Sequence, residues 1–163
     1  SYGRTPYQSG FSRSTAHDLE MVEWAIEETG LVSYKEMPVD ALSGGQRQRA
    51  WIAMAIAQET DILLLDEPTT YLDMAHQLEV LELLGKLNKK AGRTIVMVIH
   101  DLNHASRFAD EIIAVKEGKL IIQGTAEQVI SREVLRDVFD IETTIVTDPE
   151  TKKPAILSYN LVR

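Results

Sequence analysis

"DILLLDEP", residues 61–68, is a short apolar run closed by two carboxylates and a proline. A continuous apolar run of this length, bounded by breakers, reads as a central parallel strand buried on both faces. Its flanks agree. Upstream, "SGGQRQRAWIAMAIAQ" (43–58) opens polar and turns apolar all round from Ala50 to Ala57, the pattern of a helix buried on most sides. Downstream, "MAHQLEVLELLGKLNKKAG" (74–92) is an amphipathic helix closed by Lys89, Lys90 and Gly92. "TIVMVIHD" (94–101) then reads as a second buried strand. Alternating strand and helix predicts an α/β core built on a parallel sheet.

Farther out the signals are shorter. "SYGRTPYQSGFS" (1–12), rich in Gly, Ser and Pro, reads as loop. In "STAHDLEMVEWAIEETG" (14–30), Leu19, Val22 and Ile26 recur at helical spacing, and Gly30 suits the C-terminal cap. "LNHASRFAD" (102–110), "TAEQVI" (125–130) and "REVLRDVF" (132–139) read as short helices. "EIIAVKEGKLIIQG" (111–124) is a hairpin turning at Glu117-Gly118. "TTIVTDPETKKPAILSY" (143–159) is a final hairpin around 148–153. There is no internal repeat.

The bulk composition narrows the class. With 163 residues, 44% hydrophobic and 26% charged, the chain can close one compact core. A net charge of -8 argues against a nucleic-acid binder. The absence of cysteine excludes a disulfide framework and a Cys-based metal site. No apolar run approaches the roughly 20 residues that span a bilayer, and no charged-then-apolar leader opens the chain. Any membrane connection is therefore expected to run through a partner protein.

Three stretches carry chemistry. Ser43-Gly44-Gly45-Gln46 stands at a predicted helix start. The first N–H groups of a helix have no intrahelical partner, and with the helix dipole they form an anion site. Glycine lets a phosphate approach the backbone because no Cβ intervenes, and Ser43 adds a hydroxyl. Asp66 and Glu67 stand side by side at a predicted strand end, where neighbours face opposite sides and can address two targets. Asp66 suits Mg²⁺, which prefers oxygen ligands and keeps part of its hydration shell. Glu67 suits a base that polarises an attacking water. His100 closes "VMVIH", where an imidazole can donate to a phosphate oxygen. His17, His76 and His104 have no such setting and read as non-catalytic.

Taken together, "LSGGQ" (42–46), "LLLDEPTTYLD" (63–73) and "VIHD" (98–101), with a buried helix between the first two, resemble the ATP-binding-cassette transporter ATPases over nearly the whole chain. The resemblance implies an α/β fold: a partial P-loop NTPase (RecA-like) core with a parallel sheet, a helical signature subdomain and C-terminal β-hairpins. Residues 1–60 then form the helical subdomain with the signature motif and its helix. Residues 61–163 form the C-terminal part of the ATPase core. Leu42–Gln46 matches the signature motif, Ile62–Asp66 with Glu67 the Walker B motif, Thr70–Asp73 the D-loop and His100 the switch histidine. "GRTPY", "DEPTTYLDMAHQLEVLELL", "HDLNHASRFAD", "IIQGT" and "DPETKKPAILSY" are similar to the iron–siderophore branch, which also includes importers of haem and cobalamin.

The family's phosphate loop, G-x-x-x-x-G-K-[ST], is not in this sequence. Gly85-Lys86 and Gly118-Lys119 lack the first glycine, since Val80 and Ile113 stand there, and leucine follows each lysine. Gln8 follows the point where the family's Q-loop glutamine belongs. The chain thus reads as the C-terminal part of an ATPase, inactive by itself. Two subunits of this family sit head to tail, and the signature helix of one faces ATP held by the other. That arrangement implies that Ser43, Gly44, Gly45 and Gln46 bind nucleotide in trans, with Asp73 at the interface. Glu67 is then the catalytic base, Asp66 the Mg²⁺ ligand and His100 the γ-phosphate contact. The cofactors implied are ATP and Mg²⁺. The partners implied are a second ATPase subunit, transmembrane permease subunits and, indirectly, a substrate-binding protein, with no nucleic acid. The place implied is the inner, cytoplasmic face of the cell membrane, held peripherally. Two other readings stand beside this one: a non-transport relative serving cluster assembly, DNA repair or translation, and a stand-alone interaction module without ATPase activity.

Overall fold

The structure is a computed structural model, and it describes residues 1–7 and 14–162. Gln8, the residue nearest the expected Q-loop, lies outside the described residues. The chain divides into two compact units, Ser1–Val98 and Ile99–Arg163.

The first unit begins with a 3-10 helix, Tyr2–Tyr7, where the composition predicts loop. Two close contacts order it. Arg4, 4% exposed, donates from Nε to Asp18 Oδ1 at 2.8 Å and from Nη1 to the Ala57 carbonyl at 3.0 Å. Gly3 lies so near the next helix that a Cβ there would stand 2.2 Å from the Met54 carbonyl oxygen.

Helix α1 spans Ala16–Glu28 and starts on a capping box between Thr15 and Asp18. Helix α2 spans Gly44–Ile56 and starts on a second capping box, Ser43 with Gln46. Helix α3 spans Met74–Ala91; Asp73 caps its start, and Gly92, with φ +63, closes it in the left-handed conformation. Strands β1 (Ile62–Leu65) and β2 (Thr94–Met97) pair in parallel, with Leu63 opposite Ile95 and Leu64 opposite Val96.

The core of this unit is one cluster. Ile52 and Ile56 of α2 meet Leu63 of β1 and Val80, Leu83, Leu84 and Leu87 of α3, with Ala25 of α1. Fully burying each such aliphatic side chain contributes about 1.5–3 kcal/mol. Alternation along the strands sends Leu63, Leu65, Ile95 and Met97 into this cluster. The other face differs from the sequence expectation of strands buried on both sides. Ile62, Leu64, Val96 and Val98 are 56%, 73%, 50% and 49% exposed. The helices α2 and α3 supply apolar side chains to one face only, so burial follows the strand period of two.

The second unit, described by itself, carries helix α4 (Leu102–Phe108) and the antiparallel hairpin β3 (Ile112–Lys116) with β4 (Lys119–Gly124). Glu117 and Gly118 turn it at φ +52 and +72, the two left-handed residues a tight hairpin needs. Helices α5 (Ala126–Val129) and α6 (Arg132–Phe139) follow, then the hairpin β5 (Ile141–Thr147) with β6 (Pro154–Leu161). Ala114, Val129 and Val138 centre its core, with Ile112, Ile122 and Val134 around them. Among the described residues no helix is long and apolar enough to cross a membrane.

Candidate functional site

Seven of the eight residues singled out in the sequence lie in the first unit. Four stand at the amino end of α2. Ser43 Oγ accepts from the Gln46 N–H at 3.3 Å, and Gln46 Oε1 accepts from the Ser43 N–H at 2.9 Å. This reciprocal cap uses two donors and leaves the N–H groups of Gly44 and Gly45 without an intrahelical partner. Ser43 and Gly44 are exposed; Gly45 is buried. The two glycines therefore have different surroundings. A Cβ on Gly44 would meet only Leu72 Cδ2, at an ordinary 3.7 Å. A Cβ on Gly45 would collide with the imidazole of His76, 2.4 Å from Cδ2 and 2.9 Å from Cγ. Openness toward a ligand accounts for Gly44. Close packing by a histidine accounts for Gly45.

His76 belongs to the amino end of α3. Asp73 Oδ1 accepts from the His76 backbone N–H at 3.0 Å and lies 2.8 Å from His76 Nδ1. The backbone N–H first, then the ring, hold the Asp73 carboxyl below the ordinary carboxylate range. The sequence alone gives His76 no catalytic setting. The available signal was the D-x-x-H spacing across a helix start, which puts an N-cap carboxylate and an imidazole on one side of the first turn.

Asp66 and Glu67 follow the carboxyl end of β1 and do not continue the strand, which ends at Leu65. Alternation is thus not what separates them. Glu67 has φ +46, a left-handed conformation that costs a non-glycine residue of order 1 kcal/mol. The bend that follows is held locally. The Thr70 hydroxyl donates to Glu67 Oε2 at 2.9 Å, and the Thr70 N–H donates to the Glu67 carbonyl at 3.1 Å. Asp66 is exposed and Glu67 half-buried, with Pro68 and Thr69 buried behind them. Tyr71 is also left-handed, at φ +64, and wholly exposed.

His100 lies in the second unit, beyond the last paired residue of β2 and one residue ahead of Asp101, which caps α4. Its side chain is exposed.

The donor set fits magnesium with phosphate better than a metal cage. Among the described residues no cluster of three or more His, Asp or Glu could hold a metal ion. Mg²⁺ on a nucleotide takes most of its ligands from phosphates and water and needs one or two carboxylates, which an exposed Asp66 can supply. The open N–H groups of Gly44 and Gly45 suit an anion.

Residues 4–70 match the family model described as ABC transporter. The chain is 60% identical over 163 residues, all of its length, to the iron(3+)-hydroxamate import ATP-binding protein FhuC of Bacillus subtilis, and spans 61% of that relative. Among solved structures it resembles a metal-chelate type ABC transporter in an inward-facing conformation. There the TM-score is 0.86 and identity 29%, covering 95% of this chain and 63% of the other. It also resembles the dimeric, post-hydrolysis ATP-binding cassette MJ0796 bound to ADP and Pi. That match has a TM-score of 0.60 and 32% identity, over 74% of this chain and 52% of the other.

Proposed function

This chain belongs to the ABC transporter family, within its ATP-binding proteins, and from that premise we propose that it serves an ATPase that powers import of chelated iron. The chain spans less than two thirds of its relatives, so the activity is that of the whole gene product. The cargo class rests on the 60% identity to a hydroxamate-iron importer subunit. The working form is a head-to-tail dimer of two ATPase subunits under a permease, held at the inner face of the membrane. A substrate-binding protein feeds the permease from the other side.

One observation carries the reading. The amino end of α2 is capped by its own Ser43 and Gln46 and open at Gly44, which leaves the Gly44 and Gly45 N–H groups without an intrahelical partner. Those N–H groups suit an anion, and in this reading the anion is the phosphate of a nucleotide bound to a second subunit.

Bound Mg²⁺–ATP supplies a γ-phosphoryl group whose transfer to water releases the energy of the cycle. The protein's part is positioning and charge. The N–H groups of Gly44 and Gly45, with the Ser43 hydroxyl, donate to phosphate oxygens of the facing subunit's nucleotide. Asp66 takes a Mg²⁺ coordination position, directly or through water. Glu67, turned by its left-handed backbone and hydrogen-bonded by Thr70, accepts a proton from the attacking water. His100 donates to a γ-phosphate oxygen. Asp73 lines the interface beside the signature turn.

The test is uptake. Disruption of the gene should abolish accumulation of radioactive iron supplied as a hydroxamate chelate. A plasmid copy should restore it, and a copy carrying Glu67→Gln should not. Normal uptake in the disrupted strain would favour a non-transport cassette protein.

A further inference from the structure

The second glycine of the signature turn lies beneath an aromatic ring. Gly45 is buried, and the His76 imidazole fills the space a Cβ would take, at 2.4 Å from Cδ2. The ring is not free to swing away, because Nδ1 lies 2.8 Å from Asp73 Oδ1. Asp73 in turn caps α3 through the His76 N–H. Leu72, the residue before Asp73, sits 3.7 Å from the position of a Gly44 Cβ, and the Gln77 side chain fixes Leu72 by donating to its carbonyl at 3.0 Å. The turn that leads into α2 and the turn that leads into α3 are therefore one packed assembly. Half-buried His76 stands in it between a backbone with open N–H groups and a carboxylate.

We propose that His76 is a positioning residue for the phosphate-binding turn: held by Asp73, its ring supports Gly45 and fixes the direction of the Gly44 and Gly45 N–H groups. This role rests on the reading of Ser43–Gly45 as a site for a facing subunit's phosphate. His76 does not touch that phosphate; it acts through Gly45. Two contacts make the support, and they are separable by substitution. His76→Asn keeps a side-chain donor for Asp73 and loses the ring. His76→Phe keeps the ring against Gly45 and loses the donor. His76→Ala loses both.

The experiment uses the full gene product with its permease, and reads KM for ATP against kcat together with ATP affinity of a single subunit. Glu67 and Asp66 act on a different nucleotide from the one α2 faces, so His76→Ala should raise KM about tenfold through weaker closure, the size expected for a lost side-chain hydrogen bond plus packing. kcat at saturating ATP should change less than twofold, and single-subunit affinity should stay unchanged. His76→Asn and His76→Phe should each recover part of the KM. A second readout is steric. Gly45→Ala should be destabilising, and adding His76→Ala should restore thermal stability without restoring closure, because the ring that met the new methyl is gone. A merely structural histidine would lower Tm and leave KM where it was.

Ser43→Arg runs alongside. If it blocks ATP-dependent closure while His76→Ala leaves KM unchanged, the role of His76 is overturned alone. If Ser43→Arg is inert, the phosphate reading falls and this role with it. Additive Tm losses in the Gly45→Ala, His76→Ala pair would also overturn the proposal, since they would mean the ring and the glycine do not share one space.

Discussion

The His76 imidazole packs on Gly45 so closely that alanine there would place its methyl 2.4 Å from the ring, whereas Gly44, one residue earlier, meets only Leu72 at 3.7 Å. Two adjacent glycines in one turn thus answer to two causes. Gly44→Ala should therefore leave stability unchanged or raise it by about 0.5–1 kcal/mol, as alanine does at a compatible helix position. Gly45→Ala should cost about 1–3 kcal/mol, the range for overpacking a filled site. Urea denaturation of both variants checks the contrast, and equal losses would refute it.

A base at Glu67 has a kinetic signature. Glu67→Gln keeps the size and the Thr70 hydrogen bond but cannot take a proton from water. In the full gene product it should bind ATP normally and turn over about 10²–10⁴-fold more slowly. Steady-state phosphate release measures this, and near-normal turnover would remove Glu67 from the role.

The ion pair under the first helix predicts a pH dependence. The Arg4 guanidinium first, then the Thr15 backbone and hydroxyl, hold the Asp18 carboxyl down from 3.8 to about 2. A depressed folded-state pKa stabilises the fold at pH above the unfolded value, and that contribution fades as pH falls from about 4 toward 2. Asp18→Asn should be less stable than the parent at pH 7, and the two should converge as pH approaches 2. Urea midpoints at pH 7, 4 and 2.5 test this; parallel curves would mean the pair carries no linkage.

The open face of β1 and β2 predicts association. Ile62, Leu64, Val96 and Val98 lie on it side by side, each 49% exposed or more. Contiguous apolar surface of this kind drives self-association in water. The 163-residue chain should sediment as more than a monomer, and Leu64→Lys with Val96→Lys should shift it toward monomer. A parent chain that is monomeric at tens of micromolar would contradict the exposure seen here.

Local chemistry in the sequence was sufficient for much of this fold. Helix starts at Thr15, Ser43 and Asp73 follow from side chains that cap the very next turn, and the Glu117-Gly118 hairpin follows from residues that tolerate positive φ. What escaped depends on distance. "ILLL" announces apolar strands but not which face receives a cover, because that is set by where α2 and α3 lie. The opening segment looked like loop until Arg4 found Asp18 and the Ala57 carbonyl. Glu67 was legible as a carboxylate, but its left-handed backbone was not, since nothing in "DEPTT" demands φ +46. The pairing of His76 with Gly45 joins the starts of α2 and α3, 31 positions apart in the chain, and only Asp73-x-x-His76 hinted at half of it.

Phosphate is proposed to reach the amino end of α2 from a second subunit. Light scattering of the full gene product, carrying Glu67→Gln to stop turnover, measures ATP-dependent dimerisation with and without Ser43→Arg. ATP should double the mass of the Glu67→Gln protein. The Ser43→Arg form should bind ATP with unchanged affinity and stay monomeric, because a bulky side chain fills the space beside Gly44. Dimerisation undiminished by Ser43→Arg would contradict the claim that this turn holds a facing subunit's nucleotide.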